Sequence, residues 1–236
     1  SEGLQRRADA GIEVTGAVPG LYIQFESQPG VSLTLSSLED AGQGIELVAF
    51  SHVPTDEPEP RRIERATVFV PDGKVKHFLT RFETYAKTAP KKKNERRHEA
   101  MLDPVAALRL ATLRGLWTDA HAAYPDEHEA IWWEVWLRRQ DGSELARLME
   151  FAGFKGLEIG TRRLQFDDRI VTLVRATPQQ LSASIDVLND LAEVRLAKET
   201  ASDFADMPAE AQGEWTKDLL ARTTPPAASA PAVCVL

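Results

Sequence analysis

The chain has 236 residues, 43% apolar and 27% charged, enough for one large domain or two small ones with a real core. Its formal net charge of -8 argues against a nucleic-acid platform and against docking on an anionic membrane, since both need a basic surface. The single cysteine, Cys234, excludes an internal disulfide and a cysteine-based zinc site, no apolar run approaches the roughly 20 residues of a membrane span, and no signal peptide opens the chain.

In chain order, Leu21, Ile23 and Phe25 alternate with Tyr22, Gln24 and Glu26, a period of two that predicts a strand. A short helix is expected over residues 32–39 and a second strand over 45–50. An exposed, acidic and prolyl loop at 55–60 leads to a third strand over 63–70. Val75, Phe78, Leu79 and Phe82 then have the i, i+3, i+4, i+7 spacing of a second helix. A sixth element is missing. In its place stand a basic run, residues 91–97, and a helix capped by Asp103, opened by Pro104, with Val105, Leu108 and Leu116 on one face.

The next stretch has a cleaner pattern. Ile131, Trp133, Val135 and Leu137 alternate with Trp132, Glu134, Trp136 and Arg138, which predicts a strand. Asp141-Gly142 breaks it, and Ser143 is placed to cap a helix carrying Leu145, Leu148, Met149 and Ala152, closed by Gly153 or Gly156. A strand over 157–166 slips phase between Ile159 and Leu164, which predicts a bulge near Gly160. Residues 170–174 are apolar at nearly every position, as a strand inside a sheet should be. Thr177-Pro178-Gln179-Gln180 has the form of a capping box, opening a helix faced by Leu181, Ile185 and Leu188. Ala192, Val194 and Leu196 then form an edge strand. Beyond it, a helix holding Trp215 and Leu219 precedes a Pro/Ala/Ser-rich linker over 223–231 and an apolar start of a strand at 232–236.

The expected fold class is therefore α+β. It has two ferredoxin-like lobes of β-α-β-β-α-β type, the first incomplete, joined by a helical linker, with a C-terminal helix and a Pro-rich tail. The divisions fall at residues 1–90, 91–127, 128–200 and 201–236. Ser1 in place of a starting Met, and a strand that only begins at the other end, read as a piece cut from a longer chain. Internal duplication is suggested by element order, not by matching residues.

The candidate functional surface is the outer side of the strand at 131–138. Two helices cover one side of a four-stranded sheet, so Trp132, Glu134 and Trp136 face either water or a neighbour. That neighbour is a partner protein or another part of this chain: residues 91–117, the Trp215 helix, or the first lobe. The other candidates have plainer readings. The basic run at 91–97 reads as a solvated linker. His52, His77, His98, His121 and His128 lack metal-ligand spacing. Glu127, Glu129, Asp167 and Asp168 read as loops and turns, not as acid–base pairs. Cys234 reads as a buried strand residue. No cofactor and no catalytic residue is expected.

The run Pro231-Ala-Val-Cys-Val-Leu236 resembles the first core strand of subtilisin-like serine peptidases, which leads into an Asp-Thr/Ser-Gly motif. The lobe before it is similar in element order to subtilase prodomains. The stretches at 66–73, 116–119 and 131–138 resemble the long N-terminal region of large bacterial subtilases. This resemblance implies a non-catalytic prodomain that docks its open sheet face on its own catalytic domain. It also implies a cytoplasmic location and an AAA-type ATPase as a further partner. No triad residue falls on a numbered position of this chain, so the segment itself is not expected to be an enzyme. Two readings from other classes stay open: a free-standing ferredoxin-like module for protein interaction or ligand sensing, and a single-strand RNA binder. The latter needs a basic, aromatic sheet, and residues 170–175 carry no aromatic.

Overall fold

A computed structural model describes residues 13–17, 20–76, 80, 104–198, 205 and 207–224. The chain forms two compact units, residues 1–197 and 198–236.

The first unit contains both lobes. In the first lobe, β1 (Gly20–Ser27), β2 (Glu46–Pro54), β3 (Arg62–Pro71) and β4 (Val105–Leu110) form an antiparallel sheet in the order β2-β3-β1-β4. In the second, β5 (Ile131–Arg138), β6 (Glu158–Gln165), β7 (Arg169–Ala176) and β8 (Leu191–Leu196) form another in the order β6-β7-β5-β8. Counted within each lobe the two orders are identical, with first and third strands central. This is the ferredoxin-like α+β arrangement expected from the sequence.

The first lobe is not short of its last strand. Residues 105–110, expected as part of a helix, form β4 against the free edge of β1, with Ile23 opposite Leu110 and Phe25 opposite Leu108. Pro104 accepts a hydrogen bond from the Gln28 amide at 2.9 Å, which fixes the register. Ala and Leu favour a helix here, but an unpaired edge offers a ladder of backbone bonds, and tertiary pairing outweighs a weak local preference. The linker that follows holds two 3-10 turns, Leu113–Leu116 and His121–Ala123, instead of a longer helix.

The helix expected at 32–39 is also replaced, by 3-10 turns at Leu35–Ser37 and Ala41–Gln43. Neither Thr34 nor Asp40 supplies a side-chain cap, and so short a segment does not repay helix nucleation. Gly44 at φ +69° turns the chain into β2. Val75 begins in helical conformation, whereas Phe78, Leu79 and Phe82 lie outside the described residues, as do residues 91–97.

The second lobe follows its pattern closely. Helix α1 (Glu144–Lys155) starts after Ser143 and ends at Gly156, φ +63°. The Ser143 side chain makes no capping bond. Instead the buried Glu144 carboxylate accepts the amides of Gln140, Asp141 (2.8 Å) and Gly142 (3.1 Å). Leu148, Phe151 and Ala152 are buried, but Met149, expected on the same face, is 48% exposed. The bulge near Gly160 is present as a register shift between Ile159 and Arg163. The capping box forms reciprocally between Thr177 and Gln180, at 3.1 and 2.9 Å. The helix it opens breaks at Ala183 into α2 (Pro178–Ser182) and α3 (Ser184–Val187).

One core joins the lobes. Tyr22, Phe69 and Val48 of the first sheet pack with Leu113, Leu116 and Trp117 and with the inner side of the second lobe, where Trp133, Val135 and Leu137 are fully buried. Polar bonds align the two. Tyr22 donates to the Leu191 carbonyl at 2.8 Å, and Glu46 pairs with Arg138 and Arg169, each at 2.9 Å. The Arg138 guanidinium lies 4.0 Å from the centre of the Phe69 ring. Burial pushes the Tyr22 hydroxyl well above the usual phenol range, so it stays a neutral donor.

The second unit holds α4 (Ala209–Arg222), which carries Trp215 and Leu219 as expected. None of its residues is buried, and Leu219 and Leu220 are 43% and 68% exposed. Cys234 and the apolar run at 232–236 lie outside the described residues.

Candidate protein-interaction face

Alternation along β5 sends Trp133, Val135 and Leu137 to the helix side and leaves Trp132, Glu134 and Trp136 on the other. The structure brings all three expected residues onto one face, each half-buried. Their cross-strand neighbours complete it. Arg175, Leu173 and Val171 of β7 stand opposite Trp132, Glu134 and Trp136, and Arg195 and Glu193 of β8 stand opposite Glu134 and Trp136.

Trp136 is the most engaged of the three. Its indole stacks on Phe166, with ring centres 5.7 Å apart and planes 7° from parallel. The Arg195 guanidinium lies 4.5 Å from the ring centre, a cation–π contact. Arg195 also pairs with Glu193 at 2.7 Å, and Glu193 accepts from the Thr118 hydroxyl at 2.6 Å. The Trp136 Nε1 is buried and has no hydrogen-bond partner among the described residues. Around this cluster, Leu164 is 61% and Phe166 46% exposed, so the apolar end of the face meets water.

The segment that follows the first lobe does not lie over these rings where it is described. Trp117 crosses to the helix side, edge-on to Trp133 at 5.6 Å, and Trp117 to Asp119 run along the outer edge of β8. Gly160 matters on the outer side. A Cβ there would sit 2.9 Å from Leu173 Cβ, so the bulge needs glycine to let Leu173 lie flat. Leu164, Phe166, Leu173 and Arg195 were missed by sequence reasoning. Leu164-Gln-Phe166 held the usable signal: after the slip at Gly160 it resumes a period of two and puts both apolar residues on one side.

Among the described residues the other candidates do not come together in one site. His77 and His98 lie outside the described residues. His52 meets Phe50 edge-on at 4.9 Å. Burial, reinforced by Arg114 and Arg65, lowers the proton affinity of His121. Among the described residues no three His, Cys, Asp or Glu side chains converge to hold a metal ion. Asp167-Asp168 form the β6–β7 turn, where Phe166 donates to the Arg169 carbonyl at 2.8 Å. A cleft of about 500 Å³ beside Glu127 and Gln179 is walled by Tyr124, whose ring is capped by Arg114 at 4.3 Å. Among the described residues no helix is long and apolar enough to cross a membrane.

No protein-family model matches this chain, and no curated protein does. Among solved structures, the small subunit of acetolactate synthase from Thermotoga maritima is similar at 12% identity and a TM-score of 0.24, over 75% of this chain and 92% of that one. So low a score carries no argument about function. Fold and face together define a class: a tandem ferredoxin-like α+β module with one sheet face buried against its own chain and one aromatic face outward.

Proposed function

We propose that this chain is a non-catalytic, prodomain-like region of a cytoplasmic subtilisin-like serine endopeptidase. It docks on its catalytic domain through the face built on Trp132, Glu134 and Trp136, and it assists folding or restrains proteolysis there. An AAA-type ATPase is a further partner under the same reading. The supporting observation is the inequality of the two sides of the second sheet. The helix side buries Trp133 completely, while the other leaves Leu164 and Phe166 about half in water beside a stacked tryptophan.

Magnitudes favour a tethered partner. Covering these rings removes roughly 300 Å² of apolar surface from water, worth about 7 kcal/mol before costs. Association of free molecules costs about 4–15 kcal/mol. The face therefore holds a covalently linked domain better than a free one, because linkage raises the effective concentration.

The test adds the full 236-residue chain in trans to a separately expressed subtilisin-like domain from the same gene product. Refolding yield should rise, or the rate of peptide hydrolysis fall, and the double substitution Trp132→Ala with Trp136→Ala should abolish the effect. An unchanged rate and yield, both in trans and with the two parts covalently linked, would refute the docking.

A further inference from the structure

The centre of the outer face is a carboxylate, not an apolar group, and this constrains what can cover it. Glu134 sits between Trp132 and Trp136 along β5, and its cross-strand neighbours are Leu173 and Arg195. Arg195 is committed elsewhere, to Glu193 at 2.7 Å and to the Trp136 ring. Arg175 leans on Glu158 at the rim, 3.8 Å away with both groups more than half exposed. Glu134 is thus the charge at the middle of the face with no ion pair among the described residues. A purely apolar partner would strand it in a dry interface, where an unpaired charge is strongly unfavourable.

The first lobe shows how this chain treats the matching position. There the same face is covered by the turn at Leu113–Leu116, and both central polar groups are bonded. Arg109 donates to Gln24 at 3.0 Å, and Thr67 donates to the Gly115 carbonyl at 2.5 Å. Gln24 and Thr67 are 5% and 1% exposed, and each of these buried side chains has a hydrogen-bond partner. The central groups of the covered face are bonded, whereas among the described residues Glu134 on the outward face has no ion pair.

We infer that Glu134 is the specificity-determining residue of the docking face, and that the face takes a protein surface presenting a lysine or arginine between apolar side chains. The inference rests on the docking reading above but does not depend on which protein docks. The cation meets Glu134 while its apolar flanks cover Trp132 on one side and Trp136 with Phe166 on the other.

The probe is a pair of labelled amphipathic helical peptides, identical except for Lys or Leu at the centre of the apolar face. Each is titrated into the full chain and followed by fluorescence anisotropy. The Lys peptide should bind at least about tenfold more tightly, with an advantage that shrinks as salt rises. Glu134→Gln should reduce the preference and Glu134→Leu reverse it, while Trp132→Ala with Trp136→Ala removes binding of both peptides. Equal affinities, a wild-type preference for Leu, or no binding of either peptide overturns the inference. A Lys preference without binding of the catalytic domain would sink the subtilase reading and leave this one standing. If the catalytic domain binds and Glu134→Leu tightens it, the reverse holds.

Discussion

The two lobes share a strand order but not a fate. In the first, the sheet face away from Leu33 and Leu38 is roofed by the chain itself: Gly115 lies so close that a Cβ would fall 2.8 Å from Gln24 and 3.2 Å from Thr67. In the second, the face away from α1 ends in Leu164 and Phe166, both exposed. Side-chain choice follows the difference. The covered face is built from Tyr22, Gln24, Thr67 and Phe69, each with a bond or ring contact across the lobe boundary or within the face. The outward face is built from tryptophans around a carboxylate, Glu134, that has no ion pair among the described residues. A ferredoxin-like lobe always has a side without helices, and here one chain has filled one such side and kept the other.

The sharpest way to break this comparison is to cut into the roof. Leu116 is fully buried beneath both lobes, and Leu116→Ala should cost about 2–5 kcal/mol, the range for a large-to-small change in a core. Trp136→Ala, on the outward face, should cost only about 1 kcal/mol, despite the larger side chain removed. Urea unfolding of the two variants measures both. Equal losses would mean that the outward face is already covered within the chain.

A smaller effect is expected at the ionic seam between the lobes. Glu46 is one-third exposed and serves two arginines, of which Arg138 is 2% exposed. Glu46→Ala leaves the Arg138 guanidinium with the Asn189 carbonyl and the Phe69 ring as its main remaining contacts. The cost should be about 1–3 kcal/mol, below the 3–5 of a fully buried pair because Glu46 is itself partly hydrated. Glu46→Gln should fall between. If the alanine variant unfolds like wild type, the seam is ornamental and the shared apolar core alone holds the lobes together.

Much of this was legible in the sequence, and unevenly so. The second lobe was readable because its signals are local: alternation in β5, a capping box at Thr177, a phase slip at Gly160. The outer residues of β5 followed from the same alternation. β4 was not readable, because Val105-Ala-Ala-Leu-Arg-Leu110 has helical composition and becomes a strand only where the edge of β1 is presented to it. The missing half of the outward face had the same cause. Arg195 and Leu173 join Trp136 and Glu134 through register across strands, which no spacing along the chain reveals. Glu46 was equally hidden, since its partners lie 92 and 123 residues away.

The smallest effect concerns acid, and in the second lobe it centres on the loop that opens α1. Hydrogen bonds from Arg147, and then the Ser143 amide, hold the Asp141 carboxyl down to about 2. For Glu144 burial alone would raise the value, but the amides of residues 140–142 outweigh it and leave it lowered. A carboxyl whose folded value lies below its unfolded one, about 4, stabilises the fold fully above that value. The contribution then fades as pH falls toward about 2. Asp141 is half exposed, so solvent screens much of its pairing with Arg147, and the effect should be modest. The thermal midpoint of the full chain should therefore decline from about pH 4 downward. Asp141→Asn should lower the midpoint at neutral pH and flatten that decline. If the variant keeps the full acid sensitivity of wild type, the loop around α1 is not where protons act.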